Sequence, residues 1–420
     1  MQPVGSSDTI LVAALQFNGQ GDIYGAREIF DRVKKLRPQA EVVFTVVKPV
    51  FGLFESLMFS DMEFADVNAI KAREKWEMLD EKEALSQINR FKTIIVFPTY
   101  GDSVLPPAIR YSSASVIKLR ENSVGKSTAP VDGPTYTLGL GSSEKGVLLP
   151  SKFSNNIPPQ TNPSSLARLA HLQDVHPAYS KTILGEDLSE SSLIAFSKAS
   201  KLFIGYFSQD PYFCCFVNAL LVNEKGKNIV VLSTQKRPAY LVESIHKTCW
   251  ENNFTQIRIY EFNANILTED KKRFDTDKVG NTCTIIFRSL EPKEMEAVLN
   301  ATEDETITTG DLSPFQFLGH RKVIAYDVRK QKNEAALALI ELAALFNPKF
   351  RNLMSYAYFG ESKPSDTVDV RKVEKWMSLF FKALKNPDLK NDWNRFIDEI
   401  FTNHDFMPQL EQILKERIRP

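Results

Sequence analysis

Four turns of this chain carry residues able to hold an anion or move a proton. Asn18-Gly19-Gln20-Gly21-Asp22-Ile23-Tyr24-Gly25 lies between an apolar run and a helical pattern. Its glycines permit positive φ and close approach of a ligand, and Asp22 supplies a carboxylate that can take a proton. Further on, the β-branched Thr306-Ile307-Thr308-Thr309 runs into Gly310-Asp311-Leu312-Ser313 and a helix opening at Pro314. A strand-to-helix turn leaves backbone N–H groups unpaired at the positive end of a helix, which suits an anion. The turn at Tyr206-Phe207-Ser208-Gln209-Asp210-Pro211-Tyr212 offers Ser208 or Gln209 to a phosphate and Phe207 or Tyr206 to a base or sugar. Arg288, with Arg237 and Arg258, is a candidate to balance the charge of a diphosphate. A fourth turn, residues 138–150, contains Gly139, Gly141 and Gly146 and reads equally as a surface hairpin or a site loop.

Each turn also has an ordinary structural reading. Asp22 can cap the first helix, the Gly310 turn can be a plain capping turn, and aromatic residues after a buried strand commonly join the core. The first turn is not a G-x-G-x-x-G with an acid about 20 residues on, so a nicotinamide cofactor is disfavoured.

The elements around these turns alternate. Apolar runs at residues 9–15, 42–47 and 93–97 read as strands, with a helix near 26–36 that stops before Pro38 and a charged, mostly helical stretch at 65–88. A polar Ser/Pro/Asn-rich region follows at 151–180. The alternation then restarts with strands at 201–207, 228–232, 256–260, 283–287, 305–308 and 322–326. Continuous apolar strands separated by helices predict parallel sheets covered on both faces, with sites outside the carboxyl ends of the strands. The segments 337–346, 370–384, 391–402 and 407–417 have helical apolar spacing.

Composition narrows the function. The 420 residues are 43% apolar and 25% charged, which is globular and long enough for two or three domains. Lys+Arg and Asp+Glu are equal at 52 each, so no global basic field exists to hold nucleic acid. No apolar run is long enough to span a bilayer, and no signal-peptide core stands at Met1. The four cysteines lack zinc spacing and the five histidines are scattered. A cytoplasmic location, buried thiols and no metal site are the expectations.

The distal order resembles the donor half of GT-B glycosyltransferases: a helix opening after Arg288-Ser289-Leu290-Glu291-Pro292-Lys293-Glu294-Met295, a strand, then the Thr309-Gly310-Asp311-Leu312-Ser313 turn. Gly21-Asp22-Ile23, with Asn18 upstream, resembles the N-x-G-D-I-G opening of inverting GT-B enzymes and is similar to that of the protein-arginine rhamnosyltransferases. Here Asn18 stands one residue further upstream and Tyr24 takes the place of a glycine.

The resemblance implies an α/β fold of two Rossmann-like doubly wound domains with a C-terminal helical segment. The implied bounds are an acceptor domain at 1–190, a donor domain at 191–365, and helices at 366–420 packing across both. It implies transfer of a sugar, with inversion, from a nucleotide diphosphate donor to a protein side chain or glycan. Asp22 is then the general base, and Asn18, Gly19, Gly21, Tyr24 and Gly141 form the acceptor loops. Gly310, Asp311, Leu312, Ser313, Phe207, Ser208, Gln209 and Arg288 hold the donor, with no cofactor and no metal. Two alternatives stay open: a nucleotide-sugar 2-epimerase-like enzyme, for which His176 and His320 lie nearest the candidate loops, and a GT-B-shaped binding or regulatory protein without catalysis.

Overall fold

A computed structural model of the chain describes residues 8–15, 21–50, 53–59, 86, 88–99, 105, 107–120, 135–140, 146–149, 165–175, 180–181, 183, 189–263, 266–273, 280–290, 292–310, 313–328, 332–360 and 369–417. The chain divides into two compact units, Met1–Asn156 with Ile400–Pro420, and Ile157–Glu399. The expected helix at 65–88 falls mostly outside the described residues.

In the first unit, β1 (Thr9–Leu15) lies at the centre, and Ile10 through Leu15 are fully buried. Helix α1 (Gly21–Leu36) follows it, burying Ile23, Ala26, Ile29, Phe30 and Val33. Those positions recur every three or four residues, so one apolar stripe meets the sheet. Phe30 packs edge-on to Phe44 with ring centroids 5.7 Å apart. The other strands are β2 (Glu41–Val50), β3 (Leu53–Phe59), β4 (Thr93–Phe97), β5 (Ser115–Arg120) and β6 (Thr135–Thr137), with a short α2 (Pro107–Arg110) between β4 and β5. The sheet order is β3-β2-β1-β4-β5-β6. All pairs are parallel except β3 with β2. Strand order reverses between β1 and β4, and ligands of doubly wound sheets bind outside the carboxyl ends at such a switch point.

The second unit begins with α3 (Ser165–Val175) and α4 (Glu190–Ala199). Its strands are β7 (Ser200–Gly205), β8 (Asn228–Ser233), β9 (Phe254–Asn263), β10 (Ile266–Arg273), β11 (Asn281–Phe287), β12 (Glu305–Thr308) and β13 (Val323–Tyr326). Helices α5 (Asp210–Asn223), α6 (Leu241–Glu251), α7 (Pro292–Ala301) and α8 (Ser313–Gly319) connect them. The order is β10-β9-β11-β8-β7-β12-β13. Only β10 runs antiparallel, to β9. Here the switch point lies between β7 and β12. Helix α5 is buried at every residue from Tyr212 to Leu221, as a helix enclosed on all sides must be.

Five helices close the chain: α9 (Asn333–Phe346), α10 (Lys349–Phe359), α11 (Val370–Ala383), α12 (Pro387–Asn403) and α13 (Met407–Arg417). Helix α11 packs on α5, where Asn218 donates to Glu374 at 2.8 Å and Phe216 meets Phe381 edge-on. Trp393, fully buried, sits among Phe350, Phe380 and Phe396, and its Nε1 donates to Lys322 O at 3.1 Å. Tyr358 Oη donates to Ile324 O at 3.0 Å.

The α/β class with two Rossmann-like doubly wound sheets and a helical C-terminal segment is therefore observed as expected. The expected seam lies at residue 190, whereas the compact units part after Asn156. Helix α3 belongs to the second unit because Arg168 donates to Thr302 O at 2.8 Å and pairs with Glu303. Of the expected 366–420 segment, the part from Ile400 groups with the first unit: Val147 N donates to His404 O and Phe406 N to Val147 O.

Candidate functional site

At the second unit's switch point, the carboxyl ends of β7, β12 and β13 are tied together by one side chain, Asp327, which is completely buried. Its Oδ2 accepts from Ser208 N at 2.6 Å, Gln209 N at 2.8 Å and Ser208 Oγ at 3.0 Å. Its Oδ1 accepts from Gln209 Nε2 at 2.6 Å. Burial raises the Asp327 carboxyl above the usual carboxylate range, and the bonds from Ser208 and Gln209 oppose that rise. Gln209 is the N-cap of α5 and makes no capping bond with its own side chain. The cap comes instead from Asp327, far along the chain.

Thr309 joins the same network. Its Oγ1 lies 3.2 Å from Ser208 Oγ and donates to Asp327 O at 3.0 Å. Asp327 N returns a bond to Thr308 O, and Tyr326 Oη donates to Gly310 O at 2.7 Å. The turn after β12 is thus held from β13 and from the β7–α5 turn. Gly310 has φ +87°, a conformation that favours glycine. Among the described residues, a Cβ built on it would meet no atom within 4 Å apart from its chain neighbours. Ser313 is the first residue of α8; Asp311 and Leu312 lie outside the described residues.

The remaining donor candidates are placed differently. Phe207 is 2% exposed and stacks on Phe213 at 4.3 Å, so it belongs to the core beneath the turn. Ser208 N and Oγ and Gln209 N and Nε2 all donate to Asp327. Arg288 follows β11, which two strands separate from β12, or about 14 Å across the sheet. There it pairs with Glu294 at 3.5 Å and lies over the Phe262 ring. Arg237 is held by Glu261 and Asp270, and Arg258 bonds Gln256. The structure thus brings Gly310 and Ser313 to one turn and leaves the three arginines elsewhere on the sheet.

In the first unit, α1 begins at Gly21, so Asp22 and Tyr24 lie in its first turn and not in a loop. The carboxylate there favours the positive helix end, and α1 is the helix that follows β1, at that sheet's switch point. Asn18, Gly19 and Gly141 lie outside the described residues. Gly139 and Gly146, on either side of Gly141, pair in an antiparallel bridge.

His320 follows α8 at the amino-terminal edge of the second sheet and bonds Asn300. It stands at the opposite end of the strands from Gly310. His176 lies outside the described residues. The four cysteines are buried free thiols, and burial pushes Cys214 up to about 11. Among the described residues, no group of three or more His, Cys, Asp or Glu is placed to hold a metal, and no helix is long and apolar enough to cross a membrane.

Sequence reasoning missed Asp327, Thr309 and Tyr326. The available signal was an acid at the carboxyl end of a buried strand, in the part of a doubly wound sheet where sites form.

No protein-family model matches the chain, and no curated protein does. Among solved structures, the chain is similar over 98% of its length to one described as the structural basis for EarP-mediated arginine glycosylation of translation elongation factor EF-P. That match has TM-score 0.44, 12% identity and 99% coverage of the other chain. It is similar to Anabaena Alr3699/HepE in complex with UDP and glucose, with TM-score 0.48, 9% identity and coverage of 98% and 99%. It is also similar to UDP-GlcNAc 2-epimerase from Neisseria meningitidis bound to UDP-GlcNAc, with TM-score 0.43, 9% identity and the same coverage.

Proposed function

We propose that the protein is an inverting glycosyltransferase of the GT-B kind, moving a sugar from a nucleotide diphosphate donor to a protein side chain or glycan. The observation that carries this reading is the Gly310 turn. It lies at the switch point of the second doubly wound sheet, has positive φ and, among the described residues, open space at its Cβ position, and leads into a helix. A diphosphate at this turn would meet the backbone N–H and the hydroxyl of Ser313 without a metal ion. The motif resemblance around Gly310 and around Asp22 supports the same assignment.

Asp22 is the general base of this scheme. As the acceptor attacks the anomeric carbon, its proton passes to the Asp22 carboxylate and the nucleoside diphosphate leaves from the opposite face. The helix position of Asp22 favours one further reading, in which it only stabilises α1 and the protein binds a nucleotide sugar without turning it over.

A thermal-shift screen of nucleoside diphosphates and their sugars tests donor binding. A ligand at about 100 times its dissociation constant adds roughly 2.7 kcal/mol of stability. Slow hydrolysis of the stabilising sugar nucleotide separates transferase from binding protein. If none of the panel raises the midpoint, the assignment falls.

A further inference from the structure

The second unit presents two strand-to-helix turns side by side at its switch point, one after β7 and one after β12. Either would ordinarily offer amides to a phosphate. Their surroundings differ. At the turn after β7, two successive amides, a hydroxyl and a carboxamide N–H converge within 2.6–3.0 Å of one carboxylate. This is the donor set of a phosphate-binding pocket, closed on a group of the protein itself. Helix α5 has fourteen residues, so its dipole is fully developed at that pocket. At the turn after β12, no atom of the described residues beyond the chain neighbours stands within 4 Å of the Cβ position of Gly310.

We propose that Asp327 is a built-in anion that fills a phosphate-type pocket at the β7–α5 turn and so denies that turn to the phosphates of a ligand. Asp327 is in this sense a specificity-determining residue. Its charge and bulk deny the first turn to an external oxyanion, and its bonds to Ser208 and through Thr309 hold the second turn in register. The part concerning the donor rests on the function proposed above; the existence of the anion pocket does not.

The pocket is tested by replacing its occupant. Asp327→Ala leaves the donors facing a space the size of a carboxylate, which small oxyanions should enter. Asp327→Asn keeps that space filled with an uncharged group. Each protein is melted in acetate, in inorganic phosphate and in chloride of matched ionic strength. At about ten times its dissociation constant, an anion that rescues the alanine variant raises its midpoint by roughly 3–6 °C over chloride. Wild type and Asp327→Asn should show no such difference. If Asp327→Ala does not fold in chloride, its recovery on refolding in acetate against chloride reads the same pocket. Equal anion responses in the alanine and asparagine variants, or none in the alanine variant, overturn the proposal. If no nucleotide binds wild type while the alanine variant is rescued, the pocket stands and the function proposed above falls.

Discussion

Replacing Gly310 with alanine separates a ligand's claim on this turn from the fold's. At φ +87°, an L-residue incurs strain of about 1–2 kcal/mol. A stiffer unfolded chain offsets about 0.4–1 kcal/mol of that. Because the new methyl would meet no atom of the described residues within 4 Å apart from its chain neighbours, overpacking adds nothing. The net cost is about 1 kcal/mol, or a midpoint lowered by roughly 2–4 °C in a unit of this size. A phosphate in contact with the Gly310 backbone would occupy the space the methyl takes. Nucleotide diphosphate affinity should then fall at least tenfold, about 1.4 kcal/mol. Scanning fluorimetry gives the first quantity and titration calorimetry with the stabilising nucleotide gives the second. A variant with the calculated stability loss and unchanged affinity would refute the placement of the phosphates. A loss of more than about 4 kcal/mol would show that packing around Gly310 had been misjudged.

Gly360 is the matched control. It also has positive φ, but its Cβ would lie 2.9 Å from Asp369 O and 3.1 Å from Val373 N. Gly360→Ala should cost about 2–5 kcal/mol in denaturant unfolding, from strain plus overpacking, and a cost equal to that of Gly310→Ala would contradict the clash. Asp22→Asn should lower transfer by about 10²–10⁴ with donor affinity intact and stability changed by less than about 1 kcal/mol. Unchanged turnover in the folded variant would leave Asp22 a structural residue of α1. Burial holds the Lys322 ammonium down to about 7, so above that pH the folded protein binds fewer protons than the unfolded chain. This contribution makes stability rise with pH from about 7 towards 10, by at most about 1.4 kcal/mol per pH unit. Lys322→Met should flatten the rise in urea unfolding measured across that range, and an identical slope in the variant would exclude Lys322 as its source.

The parallel strands were legible because burial on both faces demands continuous apolar runs, as in Ile10 through Leu15 and Ile229 through Leu232. β10 was not, since Thr268-Glu269-Asp270-Lys271-Lys272-Arg273 follows no apolar pattern. It is an edge strand, where charge is tolerated. Gly310 was legible as a turn glycine, and its positive φ gives the reason. Asp327 was not, because its meaning depends on Ser208, 119 positions away in the chain. Around Asp22 the local signals were ambiguous. The glycines that suggested a loop include Gly21 and Gly25, both of which lie inside α1. A helical glycine costs only about 1 kcal/mol, which the packing of Ile23, Ala26 and Phe30 can offset.

Tyr358 and Trp393 have a consequence for how the second unit resists self-association. In β13, alternate residues bond β12, as Val323 N to Asp304 O and Asp327 N to Thr308 O show. The carbonyls of Lys322 and Ile324 therefore face away from the sheet, along its outermost strand. An edge strand with open carbonyls is a template for adding a foreign strand. Two buried side-chain donors, the Trp393 indole and the Tyr358 phenol, occupy those carbonyls. The aromatic helices α10 and α12 thus act as a guard on the edge as well as a hydrophobic cover. Loss of their packing would expose a polymerisation-competent strand before it unfolded the sheet, so aggregation, more than loss of secondary structure, is the failure to watch for in chains truncated before Lys349.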